Sequence, residues 1–125
     1  MQMVLAICVG ASLGALARWQ LGLWLSVPGS LIPWGTLAAN WVGGYLVGVA
    51  VGVFQTLPHL DPAWRLLLIT GFLGGLTTFS AFSAEVVQFI TEDRLAMALL
   101  TAGLHLAGSL LLTFLGLRTV TWWQG

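Results

Sequence analysis

Gly71-Phe-Leu-Gly-Gly-Leu-Thr-Thr-Phe-Ser-Ala-Phe-Ser83 lies in the middle of an apolar segment of membrane-spanning length. Its glycines Gly71, Gly74 and Gly75 each disfavour a helix by about 1 kcal/mol relative to alanine. The hydroxyls of Thr77, Thr78 and Ser80 can bond nearby backbone groups in place of the regular helical ladder. The stretch is therefore expected to break a helix at membrane depth. Non-helical backbone is tolerated there only where protein buries it or it lines an aqueous cavity, so the break points to an ion or substrate site.

The rest of the chain supports a membrane setting. Of its 125 residues 58% are hydrophobic and 6% charged, with a mean hydropathy of +0.97, whereas soluble domains carry roughly 25% charged residues. So few charged side chains cannot cover a soluble domain. With no lysine and zero net charge, nothing favours a nucleic-acid partner. The lone Cys8 sits in an apolar run and reads as a small hydrophobe. The N-terminus lacks a basic leader and enters directly into a long apolar segment, expected to be a retained transmembrane helix.

Taken outward from the break, the chain divides into a single domain, residues 1–125, of four transmembrane helices at about 2–24, 33–54, 63–90 and 92–117. The first carries Gly10, Gly14 and Ala17, a small-residue stripe suited to close helix packing, and Arg18-Trp19, an interfacial anchor. Pro33 is placed to open the second helix, on which Gly44, Gly48 and Gly52 form another packing face. Asn40 falls within that span and is expected to turn away from lipid. Asp61-Pro62 reads as an N-cap followed by proline at the first helical position. One unbroken third helix would be about 42 Å long, well beyond a hydrocarbon core of about 30 Å, which fits an interruption. Beyond the break, Phe79, Phe82 and Glu85 recur at i, i+3 and i+6, with Ser80 and Ser83 on an adjoining strip. Thr91, Glu92 and Asp93 are expected to cap the fourth helix, along which Thr101, His105, Ser109 and Thr113 form a polar ridge. Arg118 and Trp122-Trp123 close the chain as an interfacial girdle.

Four crossings leave both termini on one side, with Arg65 and Arg118, against Arg18 and Arg94 on the other. This two-against-two balance gives the positive-inside rule no direction to choose. The chain is expected to insert both ways and to assemble as an antiparallel, dual-topology homodimer with its two-fold axis in the membrane plane. No phosphate-binding loop, catalytic triad or metal cluster is present, so the sequence does not read as an enzyme. A narrow path of amide, hydroxyl and aromatic groups suits cations as well as anions. The lack of an acidic ring beyond Glu85 and the positive edges of phenylalanine rings lean towards an anion. A small dual-topology multidrug exporter is the alternative, but such exporters need an early membrane-embedded carboxylate, and the first two helices contain no Asp or Glu.

Gly10-xxx-Gly14-Ala15-xx-Arg18-Trp19, Gly35-Thr36-Leu37-xx-Asn40-xx-Gly43 and the Gly71–Ser83 stretch closely resemble the Fluc/CrcB family of fluoride channels. The resemblance implies an all-α fold in which two antiparallel subunits form two pores that let fluoride leak out of the cytoplasm across a bacterial inner membrane. Carried onto this chain, it implies Asn40 donating to fluoride, Phe79 and Phe82 contacting the ion by their ring edges, and Ser80 and Ser83 nearby. It further implies Ser109 and Thr113 as a polar track, Glu85 in the conducting path, Arg18 at the vestibule, and backbone carbonyls of Gly74 and Thr77 holding a central sodium ion. His105 stands where members of the family often have tyrosine, and the resemblance gives it no role.

A reporter fused to the C-terminus is expected to appear on both sides of the membrane; a single sidedness would exclude dual topology.

Overall fold

The computed structural model describes residues Met1–Gly125. Four helices are long and apolar enough to cross a membrane: α1 (Gln2–Trp24), α2 (Trp34–Thr56), α3 (Pro62–Thr91) and α4 (Leu95–Gln124). Asp61 caps α3 as expected, its Oδ1 accepting from the Ala63 N–H at 2.9 Å with Pro62 in the first turn. Pro33 serves as the N-cap of α2 rather than its first helical residue, and α2 continues to Thr56.

The interruption of α3 is real but sits further along than the glycines suggested. Pro62–Arg65 is α-helical, Leu66–Leu73 is wound as a π-helix, and Gly74–Leu76 returns to α. Only Thr77 (φ −84°, ψ 154°) and Thr78 (φ −147°, ψ 111°) are extended, and the helix restarts at Phe79–Thr91. Thr78 is the N-cap of that second half, its Oγ1 accepting from the Ala81 N–H at 3.1 Å. The three glycines thus do not break the helix. Gly71 and Gly75 bring it close to α1, so their low helix propensity is outweighed by packing, whereas Gly74 is exposed and touches no other helix.

This close approach is reciprocal. A Cβ on Gly71 would stand 2.9 Å from the Ile7 carbonyl oxygen and 3.0 Å from Gly10 Cα. Gly10 and Gly14 in turn lie against the backbone of Leu67 and Phe72. The first half of α3 therefore packs on α1, whereas α2 packs mainly on α4 and the second half of α3 leans on α4. Along the α2–α4 seam, a Cβ on Gly48 would meet the Leu117 nitrogen at 2.9 Å, and one on Gly116 the Val49 nitrogen at 3.0 Å. The expected glycine face of α2 is confirmed, and its partner is α4.

The turn between α3 and α4 corrects the expected cap. Arg94 N–H donates to the Phe89 carbonyl at 2.8 Å and Asp93 N–H to Ile90 at 3.1 Å, with Asp93 at φ 57°. These bonds form a Schellman closure with aspartate at the left-handed position. Glu92 and Asp93 consequently end α3 instead of starting α4, whose N-cap, Arg94, makes no side-chain cap bond. At the other end α4 runs to Gln124, past the expected Leu117, because Arg118 and the tryptophans anchor a helix at an interface without terminating its backbone ladder.

Gly48→Ala is expected to destabilise the protein by about 1–3 kcal/mol through overpacking, measured by unfolding in detergent. Gly103→Ala, where a Cβ meets open space, is the matched control and should leave stability unchanged or raise it.

Candidate functional site

The two extended residues of α3 leave backbone groups that neither half of the helix satisfies, and α2 supplies their partner. Asn40 Oδ1 accepts from the Thr78 N–H at 2.7 Å, and Asn40 Nδ2 donates to the Thr78 carbonyl at 3.0 Å. One side-chain amide thus stands in for a strand neighbour, matching donor to acceptor and acceptor to donor. The second Nδ2 hydrogen points to Nδ1 of His105 on α4, 2.9 Å away. Asn40 therefore joins three helices. All of its hydrogen-bonding hydrogens are committed, so an ion taking one would displace a protein partner.

Around this junction the aromatic residues are in contact. Phe79 and Phe82 meet edge to face, with centroids 5.3 Å apart and planes at 75°, an arrangement favoured by the ring quadrupole. Phe82 lies on the imidazole of His105 at 4.7 Å with a tilt of 30°. Behind the imidazole, Nε2 faces Glu85 Oε2 at 3.7 Å, and the Thr36 side chain approaches the same carboxyl from α2. The Thr78 hydroxyl also reaches the Ser80 hydroxyl at 3.2 Å.

These groups border an open cavity of about 370 Å³ lined by Asn40, Gly43 and Gly44 of α2, Gly74, Thr77, Thr78, Phe79 and Phe82 of α3, and His105 and Ser109 of α4, with Val47, Ile69, Leu73, Leu106 and Leu110 making the rest of its wall aliphatic. Of the residues singled out from sequence, Asn40, Gly74, Thr77, Phe79, Phe82 and Ser109 are brought together there. Ser80, Ser83, Glu85, Thr113 and Arg18 are not among its lining residues. Thr113, one turn beyond Ser109, turns into the α2–α4 seam, its hydroxyl 2.8 Å from the Gly44 carbonyl. Arg18 Nε donates to the Gly75 carbonyl at 3.2 Å, capping an orphan acceptor at the end of the first half of α3. Ser83 is half-buried, while Ser80 and Gly74 are exposed and Phe79 is 76% exposed.

Chemically the cavity offers amide, hydroxyl and ring-edge contacts with no nucleophile and base held together. Such a lining can replace part of the hydration shell of a small ion. Two residues of the site were not picked out from sequence. Thr78 was recognised only as a hydroxyl in the break, although a threonine ahead of a restarting helix is an N-cap signal. His105 was already visible on the α4 ridge, but only the tertiary fold brings it to Asn40, Phe82 and Glu85.

A family model described as CrcB-like protein, camphor resistance (CrcB), matches residues 5–117. The fluoride-specific ion channel FluC of Albidiferax ferrireducens is 70% identical over 118 residues, covering 94% of this chain and 90% of the relative. The protein of the same name from Variovorax paradoxus is 68% identical over 117 residues, covering 94% and 93%. That from Pseudomonas aeruginosa is 56% identical over 122 residues, covering 98% and 96%.

Asn40→Leu strands the Thr78 N–H and carbonyl. It is expected to cost about 2–6 kcal/mol of stability, at about 1–3 kcal/mol for each of the two orphaned buried groups, as measured by unfolding in detergent.

Proposed function

The chain belongs to the CrcB-like family, and on that premise we propose that it is a fluoride-selective channel that passively exports fluoride across a bacterial inner membrane. The observation that carries this reading is the Phe79–Phe82 edge-to-face pair beside Asn40, bordering one cavity with Ser109. Fluoride is small and strongly hydrated, so a pore must replace its water with N–H, O–H and positive ring edges while excluding larger anions. Asn40 supplies the amide, Ser80, Ser83 and Ser109 the hydroxyls, and the two phenylalanines the edges, while Thr113, its hydroxyl held by the Gly44 carbonyl, fixes the α2–α4 wall beside them. Glu85 stands behind them as a carboxylate that repels anions from a resting place too deep to leave. Arg18 gives the path a cation near the break, which favours entry of an anion.

We further propose an antiparallel homodimer with two pores. In a single chain, Gly74, Phe79 and Ser80 are exposed at the level of the break, and polar groups of interrupted backbone facing lipid are costly. A second copy of opposite orientation would cover them, and the balanced arginines permit that orientation. The same arrangement suits a sodium ion on the two-fold axis. The first half of α3 ends at Leu76, leaving carbonyls of its last turn without helical partners at the negative end of the helix dipole. Gly74 would offer one such oxygen and Thr77, the extended residue just past the helix end, another, a donor type fitted to a hard cation. Two chains would double the set, and the bound ion would neutralise four converging carbonyl dipoles.

Reconstituted into liposomes, the protein is expected to release trapped fluoride, read with a fluoride electrode; chloride leaving equally fast would overturn the reading. Phe79→Ile and Phe82→Ile are each expected to slow efflux by about tenfold or more, equivalent to about 1.4 kcal/mol, while the dimer remains folded.

A further inference from the structure

His105 is the side chain on which the three helices of the site converge. It is 4% exposed on α4, bonded to Asn40 of α2, and in contact with Phe82 and Glu85 of α3. Its hydrogen-bonding state follows from its neighbours. Asn40 Oδ1 is taken by the Thr78 N–H, so the amide cannot be reversed without setting an NH2 group against that donor. Asn40 must therefore present N–H to the imidazole, and Nδ1 must be a bare acceptor. In the neutral ring the proton then sits on Nε2, the nitrogen facing the Glu85 carboxyl. That carboxyl is the ionisable group nearest the ring on α3. The α2 side contributes the Asn40 amide to the ring and the Thr36 side chain to the Glu85 carboxyl, neither of them charged, and Arg18 of α1 is held at the Gly75 carbonyl.

We propose, resting on the channel reading, that His105 is a positioning residue for permeation. As the Nε2-protonated neutral tautomer it holds the Asn40 amide by Nδ1 and backs the Phe82 ring with its face. The two groups that meet the ion thereby keep a fixed relation, although they stand on different helices. Space filling alone does not account for this, because a purely apolar ring at 105 would back Phe82 equally well but leave an Asn40 N–H without an acceptor. Fixing that N–H also sets what fluoride has to offer: an ion bound at Asn40 exchanges with Nδ1 for one hydrogen while the other stays on Thr78.

Two substitutions separate the roles. In His105→Asn the side-chain oxygen falls near the place of Nδ1 and can accept from Asn40, whereas His105→Phe keeps a ring against Phe82 and offers no acceptor. Fluoride efflux is expected to fall by about tenfold or more for His105→Phe, which loses the acceptor, and by a smaller factor for His105→Asn, which keeps the acceptor but loses the ring behind Phe82. Efflux at the wild-type rate in His105→Phe would overturn the proposal. A second measurement does not depend on flux: ¹⁵N spectra of histidine-labelled protein carrying His59→Gln, so that only His105 reports. An unprotonated Nδ1 with a protonated Nε2, and a Nδ1 shift that moves when Asn40→Leu is added, are the expected results. A ring protonated on Nδ1 would overturn the proposal. Wild-type protein that passes no fluoride would instead overturn the channel reading, leaving the spectrum to decide whether His105 holds Asn40.

Discussion

The two-point bond between Asn40 and the Thr78 backbone is the constraint on which the structure turns. An interrupted helix at membrane depth exposes a peptide N–H and C=O to a medium that cannot satisfy them, at about 1–3 kcal/mol for each orphan. A side-chain amide carries a donor and an acceptor side by side, like the edge of a neighbouring strand. With distances of 2.7 and 3.0 Å to Thr78, Asn40 satisfies both groups from another helix. The break in α3 is thus a property of the α2–α3 pair rather than of α3 alone.

That pairing is possible because glycine sets the depth at which the helices meet. Gly71 and Gly75 seat the first half of α3 against α1, and Gly48 and Gly116 seat α2 against α4. Close backbone approach carries the polar ridge of α4 to the break, so that His105 reaches Asn40 and Thr113 reaches the Gly44 carbonyl. Packing and polar satisfaction are consequently one problem. Separating α2 from α4 by the width of a methyl group would also pull the imidazole off the amide it accepts from.

Much of this was legible along the chain because the bilayer restricts what a sequence can do. Length and hydropathy gave four helices, Asp61-Pro62 gave a true N-cap, and the spacing of Phe79 and Phe82 placed them on one face. The misread positions share a cause. Propensity alone makes Gly71, Gly74 and Gly75 helix breakers, whereas tight packing of Gly71 and Gly75 on α1 keeps the segment wound and leaves the break to Thr77 and Thr78. Glu92 and Asp93 looked like the start of α4, but a left-handed aspartate can equally close the helix before it. His105 carried no signal of its own, since a single histidine on a polar ridge does not say what will face it.

By itself the sequence determined that the chain crosses a membrane, how many times, and that the third crossing is interrupted near its middle. Those features follow from local hydropathy, length and hydroxyl chemistry, which act within a few turns of helix. Only the tertiary structure decided which peptide is left open, that Asn40 closes it, and that His105 joins Asn40 to Phe82 and Glu85. Each of those contacts spans tens of residues, and its partners are chosen by how closely glycine lets separate helices approach.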